Sequence, residues 1–381
     1  MGLTASDGFT TLRDKHSTNE ITLKQLRTIK VLGEGAFATV ELCEYTATPG
    51  DCSRMVAVKK LKPAALASPE DLKSFQTEVA LMRKLKHKGI VEYVGIGCAD
   101  SSSEAAKKAS MYMVQEFMGG GTLKKMVSKQ MRTPHRSVYS NADALRWTTQ
   151  LAEAIAYLHA ARPKVIHRDL KMDNVLLTEG EVSVKSAKLS DFGLVAFQHR
   201  RPSLLRASTC MTPGVPTKTW GLALARMSTM AGVKDASVKG GDLFSPQTLK
   251  VSHCLSGQTG TLMYMSPEMF KEEPYTEAVD VFSFAVVMYE LFHRYLMLHA
   301  ISLEGTDEEV EAYAERVSNG FRPPIAPHLG PEFQSLLQQC WAQDPATRPR
   351  MDQVVQRLRQ LQLEGLMGPG TEPQGCQCAI C

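Results

Sequence analysis

Several short stretches of the chain carry residues that could do chemistry. Gly33-Glu34-Gly35-Ala36-Phe37-Ala38 sets glycines into a turn between two β-branched runs. Where no side chain intervenes, backbone N–H groups can approach a polyphosphate closely. An ordinary hairpin turn reads the same way, and at this level both readings stand. A strand follows the turn, whereas a dinucleotide-binding loop would open a helix there. Val56-Ala57-Val58-Lys59 places a lysine at the end of an apolar strand, where it needs an anion unless it turns to solvent, as Lys60 is expected to do. Glu78 lies one position from the apolar stripe of the next helix and could supply the carboxylate. The densest set is His167-Arg168-Asp169-Leu170-Lys171-Met172-Asp173-Asn174, with Asp191-Phe192-Gly193 downstream.

These groups need elements to hold them. Residues 28–32 and 39–44 predict strands on either side of the glycine turn, and 55–61 a third after Thr48-Pro49-Gly50. Ser68-Pro69-Glu70-Asp71 combines a capping serine, a first-turn proline and acids at the positive dipole end, which predicts a helix start. The helix buries Phe75, Val79, Met82 and Leu85. Residues 111–117 form another strand, which Gly119-Gly120-Gly121 ends. Beyond it the periodicity is helical. A helix opening at Asn141 or Asp143 buries Leu145, Thr148, Leu151, Ile155 and Leu158, and 279–292 is apolar almost all round, as a central helix would be. Further helices are expected at 331–342 and 351–362. Strands first and helices later predict an α+β fold with two lobes. Residues 99–110 read as a polar loop.

At His167–Asn174 and Asp191–Gly193 the sequence resembles the eukaryotic protein kinase family. The resemblance runs over about 26–363 and includes Ser266-Pro267-Glu268, Asp280 with Ser283-Phe284, and Cys340-Trp341, Asp344-Pro345 and Arg348-Pro349. It implies a bilobal α+β kinase domain. The expected layout is a flexible tail over 1–25, a β-rich N-lobe with hinge over 26–118, a helical C-lobe over 119–363 and a cysteine-containing tail over 364–381. By resemblance, Asp169 accepts the substrate hydroxyl proton, Lys171 sits on the transferring phosphate, and Asn174 and Asp191 hold Mg²⁺. Lys59 would hold the α- and β-phosphates of ATP, itself held by Glu78, under the loop Gly33, Glu34, Gly35, Ala36, Phe37 and Ala38. Leu32, Val40, Ala57 and Leu176 would wall the adenine, the backbones of Glu116 and Met118 would bond its edge, and Gln115 would guard the rear. Met82, His167 and Phe192 match a stacked column, and Glu268 and Arg348 a buried ion pair. Ala38, Phe282 and Ala285 depart from the family's usual Gly, Trp and Gly.

Lys171 and Gly260-Thr261 resemble the Ser/Thr pattern, with Thr261 expected to bond Asp169 and Lys171. Cys340-Trp341 with Arg348-Pro349 is shared by tyrosine kinases and the tyrosine-kinase-like Ser/Thr group, and the combination points to the latter. The implied partners are protein substrates and an upstream activating kinase. The rival readings are a catalytically weak, ATP-binding scaffold and a tyrosine-specific enzyme.

The activation segment is unusual, with 72 residues between Gly193 and Ser266. Within it, residues 199–250 hold no period and carry eight Lys and Arg against Asp235 and Asp242. They read as a regulatory insert with Ser203 as a basophilic site, a basic docking arm, or translated non-coding sequence. Phosphate on Ser252, Ser256 or Thr259 could pair with Arg168.

Composition bounds the rest. The 381 residues are 43% hydrophobic with 44 basic against 40 acidic side chains, which suits a globular chain and gives no basic excess for nucleic acid. Residues 281–291 are too short a run to span a bilayer. The nine cysteines lack zinc-like pairing, so a reduced cytoplasmic setting without a secretory signal is expected. A membrane enters only through lipid: Gly2 fits a myristoylation pattern, and Cys378 a prenylation box with Cys376 beside it.

Overall fold

Residues of alternating burial build the first lobe. The computed structural model describes residues 20–198, 259–301 and 306–364. Strands β1 (Leu26–Glu34), β2 (Ala38–Tyr45), β3 (Arg54–Leu61), β4 (Tyr93–Cys98) and β5 (Met111–Glu116) form one antiparallel sheet in the order β1-β2-β3-β5-β4. In β3, Val56 and Val58 are fully buried, while Ala57 and Lys59 take the opposite face. The short helix α1 (Pro63–Leu66) leads to α2 (Pro69–Met82). Ser68 caps α2 as expected, accepting the Asp71 N–H at 3.3 Å. Phe75, Val79 and Met82 enter the core, and Glu78 is buried among them.

Part of the expected tail belongs to the fold. Ile21 is 1% exposed, its N–H bonds Ile96 O at 2.8 Å, and its carbonyl accepts the Tyr112 hydroxyl at 2.6 Å. A Cβ on Gly97 would fall 2.1 Å from the Ile21 carbonyl, so this docking depends on a glycine in β4. One buried isoleucine thus ties down part of the polar stretch before β1. The 99–110 loop is also corrected: it contains helix α3 (Glu104–Ala109), with Ser103 accepting the Ala106 N–H at 3.0 Å.

The second lobe is helical. After α4 (Leu123–Met131), α5 (Asn141–Ala160) opens in a capping box where Ser140 and Asp143 bond each other's N–H groups. Two small antiparallel ribbons follow, pairing β6 (Lys164–Ile166) with β9 (Ala196–Gln198) and β7 (Val175–Leu177) with β8 (Ala187–Leu189). Then come α6 (Thr259–Leu262), α7 (Pro267–Phe270), α8 (Ala278–His293), α9 (Met297–Ile301), α10 (Asp307–Ser318), α11 (Pro331–Cys340) and α12 (Met351–Leu363). Every residue of α8 from Val279 to His293 is buried, which fits its all-round apolar sequence. Phe282, in the place of the family's Trp, lies under the guanidinium groups of Arg322 and Arg348 at 4.9 and 5.1 Å.

Candidate active site

β3 and α2 bring the first charged group together. Lys59 Nζ lies 2.8 and 2.9 Å from the two Glu78 carboxylate oxygens and 3.0 Å from Asp191 Oδ1. Burial alone would lower the Lys59 pKa, but the charges of Asp191 and Glu78 outweigh it and raise it. The Lys59 charge, against burial, brings Asp191 down to about 2. Burial pushes Glu78 up while Lys59 pulls it back, so the lysine bridges two carboxylates. Lys60, expected in solvent, instead pairs at 2.7 Å with Glu41 and is about one-third exposed.

The loop between β6 and β7 hangs from the central helix. Asp280, fully buried in α8, accepts the backbone N–H groups of His167 and Arg168 at 2.8 and 2.9 Å and meets His159 Nε2 at 2.8 Å. A buried carboxylate must be satisfied, and this one fixes the loop's entry. Arg168 and Asp191 both sit in the left-handed region, at φ +68° and +62°, conformations that the surrounding bonds must hold in place.

Four buried polar groups meet on that loop. Lys171 Nζ lies 2.9 Å from Asp169 Oδ2 and donates to Thr261 Oγ1 at 3.0 Å. Asn174 donates to Asp169 Oδ2 at 2.9 Å and to its carbonyl at 2.7 Å. The Thr261 hydroxyl lies 3.4 Å from Asp169 Oδ1. A carboxylate is thus oriented beside a cation, as a proton acceptor next to developing negative charge requires.

Residues 26–216 match the protein kinase domain family, just over half of the chain, and residues 247–358 match the protein tyrosine and serine/threonine kinase family. The chain belongs to the protein kinase family. This kinase is 28% identical over 342 residues to serine/threonine-protein kinase STY17 of Arabidopsis thaliana, covering 90% of this chain and 45% of that one. It is 26% identical over 345 residues to STY46 of the same plant, covering 91% and 46%. Against human mitogen-activated protein kinase kinase kinase 7 the identity is 25% over 347 residues, covering 90% and 43%. The kinase spans less than half the length of these curated relatives. Its resemblance is to the tyrosine-kinase-like group.

The remaining expected site residues distribute as follows. Leu32, Val40, Ala57 and Leu176 are half-buried, and Met118 is buried. Val40 stands opposite Gly33 on β1 and Lys59 on β3. The Glu116 N–H is committed to Glu92 O at 3.0 Å, so that group is not available to an adenine edge. Gly33 and Glu34 end β1, and Gly35, Ala36 and the half-exposed Phe37 form the surface turn after it, with Gly35 N–H bonding Ala38 O at 2.9 Å. His167 and Phe192 meet edge to face at 5.1 Å. Glu268 and Arg348 form the buried pair, at 2.6 and 2.9 Å. Sequence reasoning assigns no bonds to Asp280, for which a lone Asp in an apolar helix is the available signal. Gly2, Ser203, Ser252, Ser256, Cys376 and Cys378 lie outside the described residues, as does the insertion at 199–250. Among the described residues no helix is long and apolar enough to cross a membrane.

Proposed function

We propose that this kinase transfers the γ-phosphate of ATP to serine and threonine hydroxyls of protein substrates. The observation that carries the reading is the Asp169–Lys171–Thr261 cluster, a base, a cation and a hydroxyl locked together in the C-lobe. Phosphoryl transfer asks for positioning and charge neutralisation, and these residues supply both. Asp169 takes the proton of the attacking hydroxyl, and Lys171 balances charge on the group in flight. Lys59 holds the α- and β-phosphates, and Glu78 keeps it in place.

The glycine turn supports a phosphate site. A Cβ on Gly33 would meet nothing within 4 Å, and one on Gly35 would make only an ordinary contact at 3.6 Å. The protein's own packing does not require glycine there, whereas a closely approaching ligand would. The half-buried apolar walls around Ala57 suit a planar base, with Met118 at its edge. For Mg²⁺ the donor set fits: Asn174 and Asp191 offer hard oxygens, few in number, and Mg²⁺ prefers to keep waters and phosphate oxygens as its other ligands. When bound, it neutralises phosphate charge.

The partners are protein substrates and an upstream activating kinase, in intracellular signalling. One relative is named as a kinase of kinases, mitogen-activated protein kinase kinase kinase 7. Phosphoamino-acid analysis of a generic protein substrate incubated with ATP and Mg²⁺ tests the specificity. Phosphoserine and phosphothreonine are expected. Phosphotyrosine alone would assign the tyrosine-specific reading, and ATP binding without transfer the scaffold reading.

A further inference from the structure

We infer that Ser74 is a positioning residue: from α2 it fixes the backbone just after Asp191, and so sets the carboxylate that Lys59 meets. This rests on the kinase reading above for its effect on rate, but not for its structural content. Ser74 Oγ donates to the Gly193 carbonyl at 2.7 Å, across 119 residues of chain. A serine or threonine inside a helix ordinarily turns its hydroxyl back to the carbonyl four residues earlier. Thr77 on the same helix does so, bonding Lys73 O at 2.9 Å. Ser74 sends its donor outward instead.

Its place on the helix gives that bond its meaning. Ser74 and Glu78 stand four residues apart and share one face of α2. Glu78 grips Lys59, which in turn meets Asp191. Ser74 takes the Gly193 carbonyl, two residues further on. The two carbonyls after it belong to the other lobe, since Arg168 donates to Leu194 O and, at 3.2 Å, to Val195 O. Three consecutive carbonyls, 193 to 195, are thus held in turn by α2 and by the loop that carries Asp169. Asp191, at φ +62°, stands between these anchors and Ser190, whose N–H bonds Asn174 O at 2.9 Å. Through Glu78 and Ser74, one helix thus holds both Lys59 and the backbone after Asp191.

The test compares Ser74→Ala and Ser74→Thr in the full chain, reading amide hydrogen exchange over residues 191–195, kcat, the KM for ATP and the thermal midpoint. Loss of a single hydrogen bond predicts exchange about two- to tenfold faster in the alanine variant, with kcat lower by a similar factor. The KM for ATP and the midpoint stay near wild type, and threonine, which keeps the hydroxyl, restores both exchange and kcat. Unchanged exchange in Ser74→Ala, or a threonine variant as defective as alanine, would overturn the proposal. If the wild type transfers no phosphate, the kinase reading fails, and exchange with its threonine rescue still decides the role of Ser74.

Discussion

Lys171 donates a 3.0 Å hydrogen bond to the Thr261 hydroxyl, joining two residues ninety positions apart in the chain. The bond ties the loop that carries Asp169 to the far end of the activation segment. Thr261 and the base therefore share one lysine. Thr261→Val removes a bond to a charged group, about 1.5–3 kcal/mol, or about ten- to a hundredfold in kcat. The KM for ATP is expected to hold, because Lys59 and the glycine turn are untouched. Steady-state kinetics with ATP as the varied substrate checks this.

Arg348→Ala leaves Glu268 buried without its cation. Both side chains are essentially inaccessible, and removing one partner of such a pair costs about 3–5 kcal/mol. The variant is expected to unfold at markedly lower denaturant or to express as insoluble protein. A midpoint equal to wild type would contradict the structural role given to the pair.

Ile21→Ala tests the docking of the stretch before β1. Emptying a fully buried isoleucine site costs about 2–5 kcal/mol. Chemical denaturation of the full chain should show the loss, and a chain begun at residue 26 should lose at least as much. A solvent-exposed tail would show neither.

Two buried groups give opposing contributions to the pH dependence of stability. Burial raises Glu290 to about 7, in a helix-core site where it accepts from Tyr264 at 2.6 Å and Met297 N–H at 2.9 Å, near Lys124 and Asp173. Its folded pKa lies above the unfolded value, so it contributes stability at low pH that is lost as pH rises through about 7. Burial lowers His293 to about 4, where Nδ1 faces the Tyr289 carbonyl at 2.8 Å and Nε2 accepts from Ala326 N–H at 3.0 Å. Only the neutral ring can make both bonds, so its contribution is gained as pH rises from about 4 to about 6.5. Over the shared window the two slopes oppose each other. Glu290→Gln removes one of them, and its stability is expected to climb with pH between about 4.5 and 6.5 relative to wild type. Denaturation midpoints at pH steps through that range measure the difference.

Local rules made much of this fold legible. The Ser68 cap, the α5 start and the all-apolar α8 each follow from side-chain chemistry within a few residues, and the structure has them. A loop at 99–110 between strands implies a strand before it, but Gly95 and Gly97 interrupt the β-branched pattern that would give β4 its bounds, although Gly97 is required by the carbonyl of Ile21. Helix α10 carried a readable capping box, Thr306 with Glu309, in front of a mostly charged sequence. At the site, Lys59 and Glu78 could be paired from the cost of burying a lone charge. The roles of Asp169, Lys171 and Asn174 came only through family resemblance, because nothing local says that Thr261 will arrive beside them. Ser74 was invisible for the same reason: its partner is a backbone carbonyl, and carbonyls carry no sequence signal.

The central claim is tested most directly by measuring γ-phosphate transfer from ATP and Mg²⁺ to a generic protein substrate, for wild type and Asp169→Asn, with ATP binding measured alongside. Transfer by wild type and a loss of about 10²–10⁴-fold in the variant, with ATP binding retained, is the predicted result. Equal transfer by both proteins, or none by a wild type that binds ATP, would contradict the assignment of Asp169 as the base of an active kinase.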